Sequence, residues 1–276
     1  MPPAHAVSYE GGTILVDCGE GAFQQLKRAG VDLNAVHELF ITHHHFDHIG
    51  SLFACLGLNM MTHRDRPMNI YGPPGTSQIL RHLIAACDIP QAIGFGFPGQ
   101  SLPHPRDFIV SRDLRPGDVV DIDGIRISCC ENTHYRAEDQ FGKDGPISLS
   151  YRFNAPDRSM VFTGDTGPCR ALEKLASGAD LLVGELIDAD IVFNRIRSQN
   201  PNMSNQALRK MLQHFTEHHL TPEDLGELAS RAGVSQVVAT HIPFMTKSAA
   251  EDAEYIRRIS TKFSGNVAIS EDLAAY

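Results

Sequence analysis

Short apolar alternations and helical stripes take turns along this chain. His5–Ser8 and Thr13–Val16 read as two strands around the turn Glu10-Gly11-Gly12. Residues 22–29 place Phe23, Leu26 and Ala29 at helical spacing, and Gly30 is a natural stop. Leu39-Phe40-Ile41 is strand-like. Ile49, Leu52, Phe53 and Leu56 then mark a helix reaching Met61, and Asn69–Tyr71 is a short strand. Thr76 is expected to cap a helix that carries Ile79, Leu80, Leu83, Ile84 and Cys87 on one face. Residues 88–107 show no period and read as irregular, with Phe95 and Phe97 as an apolar wall and His104 exposed.

The second half is richer in strands. Asp123-Gly124 between two alternating runs is a strong hairpin signal, and the second run, ISCCENTH, delivers His134 near its end. Ser148–Phe153 and Ser159–Thr163 form another hairpin around Ala155-Pro156-Asp157, ending in Thr163-Gly164-Asp165-Thr166. A short helix over Ala171–Ala176 precedes a strand, Asp180–Val183, that leads into Gly184-Glu185. Residues 187–203 read as irregular. Ser204 caps a helix with Leu208, Met211, Leu212 and Phe215 inward, and Thr221-Pro222-Glu223-Asp224 starts the next one. Gln236–Ala239 is a strand with His241 just past its end. Ser248–Phe263 is a last amphipathic helix, and Asn266–Ile269 a final strand.

Strand-rich runs thus alternate with helices twice, before and after residue 130 or so, with no repeat, low-complexity stretch or linker. This suits an α/β chain of two sheets packed face to face with helices outside. One domain, residues 1–276, is expected.

Composition narrows the picture. The 276 residues, 42% hydrophobic and 21% charged, are those of an ordinary globular chain. No apolar run approaches the ~20 residues of a membrane span. MPPAHAVSYEGG lacks the basic flank and apolar core of a secretory signal, so the cytoplasm is the expected location. A net charge of −9 disfavours a broad nucleic-acid-binding surface. Cys18, Cys55, Cys87, Cys129, Cys130 and Cys169 form no CxxC pair and read as reduced, mostly buried thiols, Cys18 as filler before ligand.

The candidate chemistry sits in Ile41–Gly50, ITHHHFDHIG. Alternate residues at a strand end point the same way, so His43 and His45 converge, and Asp47-His48 swing round to a second point nearby. Imidazole and carboxylate suit a borderline divalent ion such as zinc. His43-x-His45-x-Asp47-His48 resembles the HxHxDH signature of the metallo-β-lactamase superfamily. That resemblance, covering Val7 to Phe244, implies the family's αββα sandwich, two mixed sheets flanked by helices. It implies that His43, His45 and His134 hold one metal, that Asp47, His48 and His241 hold a second, and that Asp165 bridges them. Two divalent ions are expected, zinc first, with manganese or iron as alternatives. ILVDCGEG resembles the family strand and loop beneath the metals, with Asp17 as partner of a ligand histidine. The family usually has one more strand and a Gly-rich loop ahead of this point, so that strand is expected to be missing or trimmed.

Two metals that share a hydroxide imply hydrolysis. YGPPGT at Tyr71–Thr76, TGDT around Asp165, and HLTPEDL from His219 resemble the ribonuclease Z-like branch. In that branch a Glu–His pair beside the metals protonates the leaving alkoxide, and Glu185 and His219 match it. Glu185-Leu186-Ile187 departs from the Ala–Thr that usually follows the family's Glu. Asp47, His219 and Glu185 are therefore the candidate catalytic residues. The expected reaction is phosphodiester hydrolysis, the alternative hydrolysis of a carboxylic ester, lactone or β-lactam. The expected substrate is a small molecule rather than tRNA. The branch's bacterial long-armed form carries a basic arm between the third metal His and the bridging Asp, and here only Arg136–Gly145 remains for it, with Glu138, Asp139 and Asp144 among its residues. No membrane partner is expected, and a homodimer is compatible with the chain.

Overall fold

The computed structural model describes residues 2–62, 64, 66–94, 99, 101–135, 145–243 and 248–276. Two compact units emerge, residues 2–114 and residues 115–276. Phe95 and Phe97, and all of the 136–145 interval except Gly145, lie outside the described residues.

The first unit is built on one mixed sheet in the order β1-β2-β3-β4-β5. The expected hairpin is β1 (His5–Tyr9) antiparallel to β2 (Gly12–Val16). β3 (Val36–Phe40), β4 (Met68–Gly72) and β5 (Ile109–Asp113) add in parallel. Every residue of β3 is buried, as a central parallel strand with both faces covered requires. The helices are α1 (Ala22–Arg28), α2 (Phe46–Ile49), α3 (Leu52–Met60), α4 (Thr76–Ala86) and α5 (Asp88–Ile93). Leu15, Leu39 and Ile70 from the sheet pack with Phe23, Leu56 and Leu80 from the helices.

Four expectations change in this unit. The helix read across residues 49–61 is two pieces, α2 and α3. Gly75, at φ 108°, caps α4 in place of Thr76, because the chain leaves Pro73-Pro74 in a left-handed turn that only glycine adopts cheaply. Residues 88–107 are not wholly irregular, since they contain α5 and a 3-10 turn over Pro105–Asp107. His104 is buried, not exposed: its Nε2 lies 2.8 Å from Asp88 Oδ1, and its Nδ1 accepts from Arg106 Nε at 2.9 Å. That clamp ties the segment back to α5.

The second unit carries a mixed sheet in the order β12-β11-β10-β9-β8-β7-β6. β6 (Val119–Ile122), β7 (Ile125–Glu131), β8 (Leu149–Asn154) and β9 (Ser159–Phe162) run antiparallel in turn. Asp123 and Gly124, at φ 46° and 85°, make the tight turn that the dipeptide announces. β10 (Leu181–Glu185), β11 (Gln236–Thr240) and β12 (Asn266–Ile269) continue in parallel. The helices are α6 (Arg170–Leu175), α7 (Ala189–Gln199), α8 (Asn205–His218), α9 (Pro222–Ala232) and α10 (Ala249–Ile259). Leu182, Val237 and Ala239 of the sheet pack with Leu172, Leu225, Leu228 and Ile259 of the helices.

Residues 187–203, expected to be irregular, contain α7. Asp188 caps it by accepting from Ile191 N, while burial of only Ala189 and Val192 explains the weak apolar period. Thr221 and Asp224 form the full capping box of α9. Arg258 of α10 knits this end together, donating to Glu223 at 2.8 and 2.9 Å and to Asp188 at 2.6 Å.

α9 and α10 meet at Gly226, where an added Cβ would stand 2.4 Å from the Ile259 carbonyl oxygen. Gly226→Ala is expected to destabilise by about 1–3 kcal/mol despite alanine's better helix propensity. The corresponding drop in Tm is roughly 3–10 °C. Thermal denaturation reads it directly, and a Tm equal to or above wild type would show that α10 yields freely.

Candidate functional site

In the first unit the chain leaves β3 and turns at once into α2, and this short passage presents His43, His45, Asp47 and His48. The histidine rings cluster, with centroids 4.7 Å apart for His43 and His45 and 3.9 Å for His43 and His48. His43 and His48 are buried, His45 exposed and Asp47 half-buried. Asp17, at the end of β2, orients the group from beneath. His48 Nδ1 donates to Asp17 Oδ2 at 2.8 Å. Thr42 donates to the same carboxylate through its backbone N–H at 2.8 Å and through its hydroxyl at 2.9 Å. That hydroxyl in turn accepts from His43 Nδ1 at 3.0 Å. Both imidazoles are therefore held in the tautomer whose Nε2 is the basic nitrogen, the form a metal takes.

Asp17 has φ 62°, a left-handed backbone rare outside glycine. The turn aims its carboxylate at the histidine loop. Asp17→Ala is expected to lower metal affinity roughly 10–100-fold, because His48 and Thr42 lose their common acceptor. Competition with a chromophoric chelator measures it, and unchanged affinity would reduce Asp17 to a turn residue. Cys18, next in sequence, is no ligand candidate: it is packed in the apolar core, and burial raises its thiol well above the ordinary value.

The second unit gathers its candidates at strand ends. His134 follows β7, Asp165 follows β9, Glu185 ends β10, and His241 follows β11. His134 Nδ1 donates to the His218 carbonyl at 3.1 Å, which again leaves Nε2 as the basic atom. Its backbone N–H donates to Asn132 Oδ1, while Asn132 Nδ2 donates to the Thr163 carbonyl, both at 3.1 Å, so the ends of β7 and β9 are tied together. Asp165 is buried, and its Oδ2 lies 3.6 Å from His241 Nε2 and 3.9 Å from His134 Nε2. Two ligands on one tetrahedral zinc, bonded at about 2.0–2.2 Å, stand roughly 3.4 Å apart. Spacing and donor chemistry thus fit a divalent cation. His241 itself has φ 50°, another left-handed residue at a strand end.

Beside Asp165 lies the pair read from sequence. His219 Nδ1 is 3.1 Å from each oxygen of Glu185 and 4.0 Å from Asp165 Oδ2. Glu185 is buried, and its Oε1 also accepts from Thr166 N at 3.0 Å and Leu220 N at 3.3 Å. Burial pushes the Glu185 carboxyl up; His219 opposes this and Asp165 adds to it. Burial pulls His219 down, but the charge and hydrogen bond of Glu185, helped by Asp165, outweigh it and leave His219 above the ordinary imidazole value. Nδ1 of His219 thus faces its carboxylate and Nε2 is turned away from it. Sequence reasoning missed Thr42, Asn132 and His218, which act through hydroxyl, amide and carbonyl groups that carry no sequence signal of their own.

A family profile described as "Beta-lactamase superfamily domain" matches residues 12–242. The chain belongs to the beta-lactamase superfamily. A Ribonuclease Z of Mycobacterium sp. (strain KMS) is 30% identical over 277 residues, covering 98% of this chain and 88% of that protein. A Ribonuclease Z of Mycolicibacterium paratuberculosis is 29% identical over 275 residues, covering 98% and 90%. Among solved structures, the metallo-beta-lactamase fold protein YhfI from Bacillus subtilis superposes with a TM-score of 0.66 at 16% identity, covering 98% of this chain and 89% of that one. The short form of human tRNase Z superposes at 0.65 and 19% identity, covering 99% and 91%. These establish the metallo-β-lactamase fold, whose two mixed sheets with flanking helices the units display. The protein is a hydrolase of this metal-dependent superfamily, ribonuclease Z-like in kind, with His and Asp groups able to bind metal. Among the described residues no helix is long and apolar enough to cross a membrane.

Proposed function

We propose that the chain acts as one functional domain, a dinuclear zinc phosphodiesterase for small substrates. By the order of the motif, His43, His45 and His134 would hold one ion and Asp47, His48 and His241 the other, with Asp165 as the donor common to both. The mixture of neutral imidazoles and carboxylates suits zinc, with manganese or iron as alternatives. Bound divalent ions would supply Lewis acidity, activating water and polarising the phosphoryl oxygens.

The observation that carries the reading is the Glu185–His219 pair next to Asp165. An alkoxide leaving group needs a proton as its bond to phosphorus breaks, and His219 would deliver it from Nε2. Glu185 fixes the ring through both carboxylate oxygens and stabilises its charged form. Asp47, beside His48, completes the carboxylates of the first unit and is the candidate to orient the attacking water. The alternative reading, a carboxylic ester, lactone or β-lactam hydrolase, has less use for a dedicated acid on the leaving side.

The name of the curated relatives favours RNA as substrate, whereas the charge of this chain does not. Gripping a polyphosphate backbone takes several cations, because affinity comes largely from counterion release. The chain carries a net charge of −9, and the Arg136–Gly145 interval contains three acids against Arg136 and Lys143. A small diester is the substrate we infer. Zinc- or manganese-loaded protein should cleave bis(p-nitrophenyl) phosphate well ahead of a panel of lactones and cephalosporins. Preference for a lactone or cephalosporin would establish the alternative. Efficient, correctly placed 3′ trimming of a precursor tRNA at low salt would overturn the restriction to small substrates.

A further inference from the structure

We propose that His214 and Phe215, near the C-terminal end of α8, form a stacking surface for a planar base carried on the leaving side of the phosphodiester. This rests on the phosphodiesterase reading above and names the leaving group as a nucleoside. The His214 ring centroid lies 5.7 Å from His219, 5.0 Å from His218 and 6.5 Å from His134. Phe215 lies 5.9 Å from His214 and 6.4 Å from His219. One more ring, Tyr135, stands 5.2 Å from His134. The rings thus border the imidazole that hands over the proton.

Two observations separate this patch from ordinary packing. The helical period places Phe215 inward with Leu208, Met211 and Leu212, yet Leu208 and His218 are the buried residues of α8. Phe215 is half-exposed, His214 exposed, and neither belongs to the apolar core of its unit. The patch also has a defined place in the reaction. The group bonded to the leaving oxygen must lie against His219 when the proton is transferred, and a base follows that oxygen across the ribose, which brings it within reach of His214 and Phe215, 5.7 and 6.4 Å from His219. Bases stack on aromatic and imidazole faces without regard to sequence, because every base has a π-face. Stacking needs neither protonation state of His214 in particular.

The test uses the metal-loaded full chain, the dinucleoside monophosphate UpU and, once the products of UpU show which uridine leaves, the methyl phosphodiester of the uridine that is retained. Each then releases an alkoxide that needs a proton, and only UpU releases one with a base attached. Wild-type protein should prefer UpU in kcat/KM by roughly tenfold to hundredfold, the usual worth of one stacked base. His214→Ala and Phe215→Leu should each reduce that ratio, chiefly by raising KM for UpU, and the double variant should bring it near one. Phe215→Tyr and His214→Phe, which keep a ring, should retain the preference. Equal losses on both substrates, a loss confined to kcat, or a ratio untouched by the double variant would overturn the assignment. If neither diester is cleaved while a lactone or cephalosporin is, the phosphodiesterase reading itself falls and takes this assignment with it.

Discussion

Asp165→Ala protein is expected to emerge from purification with most of its metal gone and its activity gone with it. Oδ2 of this buried carboxylate faces His134 at 3.9 Å, His241 at 3.6 Å and His219 at 4.0 Å. In the proposed centre it is the one donor common to both ions, so its loss leaves neither ion a full set. Removing a residue that only orients a ligand costs roughly 10–100-fold in metal affinity, and removing the shared ligand should exceed that. Elemental analysis after dialysis should find well under the wild-type metal content, with thermal denaturation confirming a folded chain. Asp165→Asn, which keeps shape and loses charge, should fall between the two. At most one metal in the native protein, or full metal and activity in the alanine variant, would end the dinuclear proposal.

The second large effect is expected at His219. His219→Ala should lower kcat by roughly 10²–10⁴ for diesters with poor, alkoxide leaving groups, the usual range for general acid catalysis. The loss should shrink for bis(p-nitrophenyl) phosphate, because p-nitrophenolate leaves without a proton. Metal content should stay near wild type, which distinguishes this variant from Asp165→Ala. Glu185→Gln should follow the same leaving-group pattern more weakly: the amide still accepts from His219 Nδ1 but no longer stabilises its positive charge. Equal losses on good and poor leaving groups would mark His219 as a residue that shapes the site without acting on the proton.

Much of the architecture was legible in the chain. The alternation of Val119–Ile122 and Ile125–Glu131 around Asp123-Gly124 could form little else than the hairpin observed. Thr221-Pro222-Glu223-Asp224 announced a helix start and forms a complete capping box. Less legible were α5 and α7, short helices with few buried positions to create a period. A closer reading of Asp188 as a cap would have found the second. His104 misled because its burial depends on Asp88 and Arg106 meeting around it.

The donor types are a property of the sequence alone. Four of them stand within His43–His48, and His134, Asp165 and His241 mark themselves by following apolar runs. Which nitrogen of each imidazole is basic, and which way it faces, was decided only by tertiary structure. Thr42 and Asp17 are 25 residues apart, His219 and Glu185 34, and His134 and the His218 carbonyl 84. A tautomer is set by the hydrogen bond on the opposite ring nitrogen, and those partners arrive only when the strands of a sheet bring their ends together. The shift of Glu185 belongs to the same class, since it comes from burial, and burial is a property of the packed molecule rather than of any residue in the chain.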